Sequence, residues 1–139
     1  MRLLLDTNIF LEVLLGQERA ADAQRLLSAS EHELFVSDFG LHSIGLLLLR
    51  RKQHDVLRHF LKDVLARVGV GMLGLTAGEL SSVIEPSQRF GLGFDDAYQY
   101  ALAERDQLTI VSLDSDFDRT ERGRQTPAAI LQSSGSQGA

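Results

Sequence analysis

The chain has 139 residues, enough for one domain with a sizeable core, and its 44% apolar and 24% charged fractions are ordinary for a globular protein. It contains no cysteine, which excludes disulfides, thiolate metal sites and cysteine nucleophiles. The formal net charge of −5 argues against a generic nucleic-acid-binding surface, which would be basic. The charge is uneven: between Arg50 and Arg67 six Lys/Arg stand against two Asp, a net of +4, so the remainder carries −9. A polyanion would have to approach that basic segment or meet cations held by the acids. The start, MRLLLD, reaches an acid too early for a signal-peptide core. The apolar run Ile44 to Leu49 is too short to span a bilayer. The expectation is a soluble, cytoplasmic protein without a membrane partner.

In chain order, Leu3 to Leu5 form a short apolar run of the kind a buried parallel strand shows, and it ends at Asp6. Thr7 or Asn8 is suited to cap a helix over IFLEVLLG, closed by Gly16. A second helix is predicted over RAADAQRLLSAS. Leu34 to Val36 read as a second strand, with Ser37 as the N-cap of a helix over DFGLHSIGLLLLRR. A further helix is predicted from His54 to Val68, with Leu57, Phe60, Leu61, Val64 and Val68 as one apolar stripe. Arg51, Arg58 and Lys62 fall on a different, solvated face. A glycine-weakened strand lies around Met72. Thr76 is suited to cap AGELSSVIE, with Pro86 marking its end. FDDAYQYALAERDQ reads as a helix opening with Asp95 and Asp96, and LTIVSL is the clearest strand, running out into Asp114 and Asp116. TPAAIL forms a short last element. The domain is expected over residues 1–132, with a disordered polar tail over 133–139. Strands alternating with helices imply a parallel sheet covered on both faces.

Asp6, Asp96, Asp114 and Asp116 are the candidate site residues. Taken singly, each has a plain structural role, as a helix cap for Asp6, Asp95 or Asp96 and as a turn former for Asp114. Taken together, they are acids from three distant segments at strand ends or at a helix start, and strand C-terminal ends line the ligand crevice of an open α/β sheet. Clustered carboxylates repel one another and raise one another's pKa, a cost that a divalent cation removes. Hard cations such as Mg²⁺ prefer oxygen ligands. Asp95 and Asp96 lie about 100° apart on a helix, so Asp96 is assigned to the pocket and Asp95 to the cap. Such a site activates water for attack on a phosphodiester.

The motifs LLLDTN, FDDAYQYALAE and IVSLDSDFDRT resemble those of the PIN-domain family, particularly the small VapC-like toxins of bacterial toxin–antitoxin pairs, over roughly residues 1 to 130. The resemblance implies a three-layer α/β/α sandwich with a central parallel sheet. It implies an Mg²⁺- or Mn²⁺-dependent endoribonuclease in which Asp6, Asp96 and Asp114 bind metal and Asp116 assists. Asn8 and Ser112 would be supporting polar groups, and Ser37 is similar to the serine that often follows the second strand. RNA, an antitoxin protein and a second copy of the chain are the partners implied.

One position departs from the pattern. Where the family usually carries a glutamate on the helix after the second strand, this chain has Ser43. Ser43 is neutral and short, and can at best hold a metal-bound water. Asp38 and His42 point elsewhere by helix geometry, and His42 is either a ligand or a partly buried structural residue. A single-metal enzyme, a slow enzyme and a catalytically weakened or inactive PIN-fold binding module are all compatible with the change. LLLDTN also resembles the opening of phosphotransferases of the haloacid dehalogenase class, but those need a second Asp where this chain has Asn8. A response-regulator receiver domain would need a lysine on a late strand, and Lys52 and Lys62 both fall on predicted helices. Tyr98 and Tyr100 are candidates for stacking on bases or for the core.

Overall fold

The computed structural model describes residues 1–66 and 69–138; of Val64 and of residues 134–138 it describes the backbone alone. Four strands, β1 (Arg2–Leu5), β2 (Glu33–Ser37), β3 (Gly71–Leu73) and β4 (Thr109–Val111), form one sheet in the order β3-β2-β1-β4. All three pairings are parallel. Leu4 is aligned with Phe35 on one side and Ile110 on the other. The outer edge of β4 is covered by residue 125, whose N–H donates to the Ile110 carbonyl at 2.8 Å and whose carbonyl accepts from Ser112 N at 3.0 Å.

Alternation along these strands divides the interior in two. Leu3, Leu5, Leu34, Val36 and Val111 point to one face, where they meet α1 (Thr7–Leu14), α2 (Ala20–Ser28), α3 (Asp38–Arg50), Phe60 and α7 (Pro127–Gly138). Leu4 and Ile110 point to the other, beneath α6 (Phe94–Asp106), Val83 and Phe117, with Phe90 of α5 (Ile84–Phe90) packed alongside. A strand buried on both sides needs apolar residues at every position, which is why β1 reads as an unbroken leucine run. The result is the α/β/α sandwich with a central parallel sheet.

Several local details differ from the sequence reading. The cap of α1 is Asp6 itself, whose carboxylate accepts from Thr7 N; Thr7 is already the first helical residue. The helix expected over 54–68 is α4 (His54–His59) followed by a π-helical segment, Phe60–Ala66. The wider π turn breaks the 3.6-residue repeat, so Phe60 is buried while Leu61 is exposed. Val68, the end of the predicted stripe, and Arg67 lie outside the described residues. Pro86 does not end a helix. Ala77–Val83 is a 3₁₀ turn boxed by Thr76 and Glu79, and Pro86 is the third residue of α5, where a backbone N–H would have no partner within the helix. Gly93, and not Asp95, precedes α6 as its cap. The last helix, α7, runs from Pro127 to Gly138.

Candidate functional site

The site lies where β1, β2 and β4 end. In the sheet order β4 adds beside β1, so the ends of strands about a hundred residues apart in sequence become neighbours. Asp6 N donates to the Val111 carbonyl at 2.9 Å, which fixes the end of β1 against the end of β4. Asp6 is 4% exposed. Its Oδ1 accepts from Thr7 N at 2.8 Å, Thr7 Oγ1 at 3.2 Å and Gln99 Nε2 at 2.6 Å. Its Oδ2 accepts from Asn8 Nδ2 at 3.2 Å and Ser112 Oγ at 2.8 Å. These donors fill a carboxylate's acceptor capacity, so Asp6 serves here as the hub of a buried polar network.

The network reaches the other acids. Ser112 Oγ also accepts from Asp114 N at 2.9 Å, and Asn8 Oδ1 accepts from Leu113 N at 3.1 Å. The loop after β4 is thereby tied to the start of α1. Asp114 then caps a 3₁₀ turn, Ser115–Arg119, by accepting from Asp116 N at 2.9 Å. This turn brings Asp116 back beside Asp114.

Asp96 arrives from α6. One carboxylate oxygen from each of Asp96, Asp114 and Asp116 lies within 4.8 Å of the others, the arrangement a single cation would need. All three are half-buried. Burial, and then the negative charges of Asp95, Asp6, Asp114 and Asp116, push the Asp96 carboxyl up to about 7. Arg119 approaches Asp116 at 3.6 Å, but its Nε and Nη2 donate to the Phe90 and Gly91 carbonyls at 2.6 and 3.0 Å. The donor set is all oxygen and anionic, and so fits a hard divalent cation.

Asp96, Asp114 and Asp116 thus come together, with Asp6 close enough for its charge to act on Asp96 but with its oxygens committed elsewhere. Asn8 and Ser112 bridge Asp6 to the loop that carries Asp114. Ser43 is not in this network: its Oγ donates to the Phe39 carbonyl of its own helix at 3.1 Å. His42 is exposed and belongs to no metal-ligand group among the described residues, which corrects its reading as a partly buried histidine. Asp38 accepts from Tyr98 Oη at 2.8 Å. Tyr98 and Tyr100 are buried. Ser37 caps α3, its Oγ accepting from Gly40 N at 2.8 Å.

Sequence reasoning missed Gln99. The signal was present, because Gln99 follows Asp96 by three residues and helix positions three apart share a face. Its Oε1 is the one buried side-chain polar atom without a partner among the described residues.

The PIN-domain family matches residues 3–123 of the chain. The chain belongs to the PIN-domain family. No curated protein sequence matches it. Its solved structural relatives share the PIN sandwich at low identity. The Mycobacterium tuberculosis VapC20 toxin, described as cleaving the sarcin-ricin loop, is 23% identical with a TM-score of 0.71, covering 84% of this chain and 92% of its own. VapBC2 of Rickettsia felis, bound to a DNA fragment from its promoter, is 17% identical with a TM-score of 0.69, covering 91% and 97%. A toxin–antitoxin complex from Klebsiella pneumoniae is 19% identical with a TM-score of 0.66, covering 89% and 96%. Among the described residues no helix is long and apolar enough to cross a membrane.

Proposed function

We propose that this PIN domain is a VapC-like endoribonuclease that hydrolyses RNA phosphodiester bonds with Mg²⁺ or Mn²⁺. The observation that carries the reading is the convergence of Asp96, Asp114 and Asp116 carboxylate oxygens within 4.8 Å of one another, with the buried Asp6 behind them. A divalent ion held there would supply water activation and offset the charge that builds on the scissile phosphate.

The chain's own residues divide the work. Asp96, Asp114 and Asp116 would ligate the ion. Asp6 holds the pocket in shape through Ser112, Asn8 and Gln99, and adds its charge to the pocket's field. Asp96 is half-protonated near neutral pH without an ion, so ion binding displaces its proton and leaves a full carboxylate. The basic stretch beginning at Arg50 lies away from these acids, at the far end of α3 and beside the starts of β2 and β3. An antitoxin protein and a second copy of the chain are the expected partners in the cytoplasm.

A second reading, a PIN-fold module with weak or absent catalysis, is favoured by Ser43, whose hydroxyl bonds back to its own helix. The deciding experiment is cleavage of single-stranded RNA with Mn²⁺ by the wild-type protein and by Asp96→Asn. Among the described residues the Asp96 side chain makes no hydrogen bond, so the substitution leaves the fold's polar network intact. Wild-type cleavage that the substitution abolishes supports the enzyme. Equal cleavage by both proteins defeats the site assignment, and absent cleavage in the wild type favours the binding module.

A further inference from the structure

The segment that brings Asp96 to the pocket also carries an unusual surface residue. Phe94 is the first residue of α6 and is 57% exposed. Nothing in helix initiation asks for an aromatic ring there; small polar residues and proline are the usual choices near a helix start. Tyr98 and Tyr100 of the same helix are drawn into the interior, 5% and 1% exposed, which removes them as base-stacking groups.

The exposed ring is held from behind. Phe94 stands 5.6 Å from the Phe39 ring and 6.1 Å from the Tyr98 ring, centroid to centroid, and Phe39 and Tyr98 are 5.5 Å apart. Tyr98 is itself clamped, its Oη donating to Asp38 at 2.8 Å and accepting from Leu75 N at 2.9 Å. Three rings from the starts of α3 and α6 therefore form one cluster at the end of the sheet that carries the acids. Phe94 precedes Asp96 by two residues, about 3 Å of helical rise, and the two side chains diverge by about 160° around the axis. A strand passing over the start of α6 would meet the acidic pocket on one side and the ring on the other.

We propose that Phe94, backed by Phe39 and Tyr98, is a stacking platform for an unpaired nucleobase next to the phosphate held at Asp96, Asp114 and Asp116. The proposal rests on the ribonuclease reading above. Charge favours a base over a phosphate at this place. Asp95 is exposed beside Phe94, and the acids flanking it repel phosphate not neutralised by an ion. An uncharged π face binds a base without that cost and without reading its sequence. Phe94 is accordingly a positioning residue, acting on the hold and register of RNA and not on the ion.

The test is a KM-against-kcat comparison on a short single-stranded RNA with Mn²⁺, using wild type, Phe94→Ala and Phe94→Trp. It is repeated with RNAs in which single positions beside the cleaved bond are abasic. The expected result is a KM raised on the order of 10-fold by Phe94→Ala, with kcat little changed and Phe94→Trp restoring binding. One abasic position should raise the wild-type KM to the Phe94→Ala level and leave Phe94→Ala unaffected. Equal KM for wild type and Phe94→Ala on intact RNA overturns the platform while leaving the ribonuclease reading standing. A KM effect that every abasic RNA reproduces in full overturns it too. If light scattering shows Phe94→Ala altering only the oligomeric state, the ring is a protein contact and the proposal fails. Absence of any cleavage or RNA binding by the wild type overturns both readings.

Discussion

Asp96 is pressed by burial and by four neighbouring carboxylates until its pKa stands at about 7, against an ordinary 3.8. The acid binds its proton more tightly folded than unfolded. Its presence therefore costs nothing below about pH 4, costs progressively more as pH rises towards 7, and costs a constant amount above that. A pKa unit is worth about 1.4 kcal/mol, but the group is half in solvent, and screening reduces the whole cost to about 1–2 kcal/mol. Asp96→Asn removes the charge and keeps the shape. In metal-free buffer at pH 8 it should stabilise the protein by that amount, raising Tm by about 3–7 °C for a chain of this length. Thermal melts of both proteins with a chelator, at pH 4.5 and pH 8, make the measurement. The two Tm values should nearly coincide at the lower pH and separate at the higher one. Adding Mn²⁺ at pH 8 should raise Tm for the wild type and far less for the variant, because an ion bound to the native state alone stabilises it. Parallel Tm curves across pH, or a variant less stable at pH 8, would refute the electrostatic account of the pocket.

Three other outcomes follow from the same geometry. Ser112→Ala removes the hydroxyl that joins Asp6 Oδ2 to Asp114 N; it should cost about 1–3 kcal/mol of stability for the buried groups left short of partners, read by chemical denaturation, and weaken Mn²⁺ binding in calorimetry. Gln99→Leu strips one of the three donors from Asp6 Oδ1 and should lower stability by a similar amount, about 1–3 kcal/mol, read by chemical denaturation. Ser43→Glu returns a carboxylate to the helix after β2; Mn²⁺ affinity and RNA cleavage should both rise, and unchanged calorimetry and unchanged turnover would show that this position does not face the ion.

Much of the sheet could be read from the chain, because a strand buried on both faces must be continuously apolar, as Leu3 to Leu5 are. The acids were legible as a set for a related reason: each follows directly on a strand or opens a helix, and in a parallel sheet those positions gather at one end. What escaped was whatever depends on distant partners. That Asp6 would be filled by Thr7, Asn8, Gln99 and Ser112 follows from β4 lying beside β1, which no local pattern contains. Pro86 reads as a stop in the sequence alone, because its tolerance within a first turn depends on where the helix begins, and the 3₁₀ turn before it shifts that start. The π turn at Phe60 defeated a periodicity argument built on 3.6 residues per turn. The exposure of Phe94 and the burial of Tyr98 likewise follow from packing against Phe39, a residue 55 positions earlier in the chain.

The proposed divalent-cation site is the set of Asp96, Asp114 and Asp116 in front of Asp6. Its most direct test is a crystal of the protein soaked in Mn²⁺ and measured for anomalous scattering. The expected result is a peak bound by oxygens of Asp96, Asp114 and Asp116, absent from crystals of Asp96→Asn. Well-ordered crystals of the wild type with no peak at these three carboxylates, or the same peak in the variant, would contradict it.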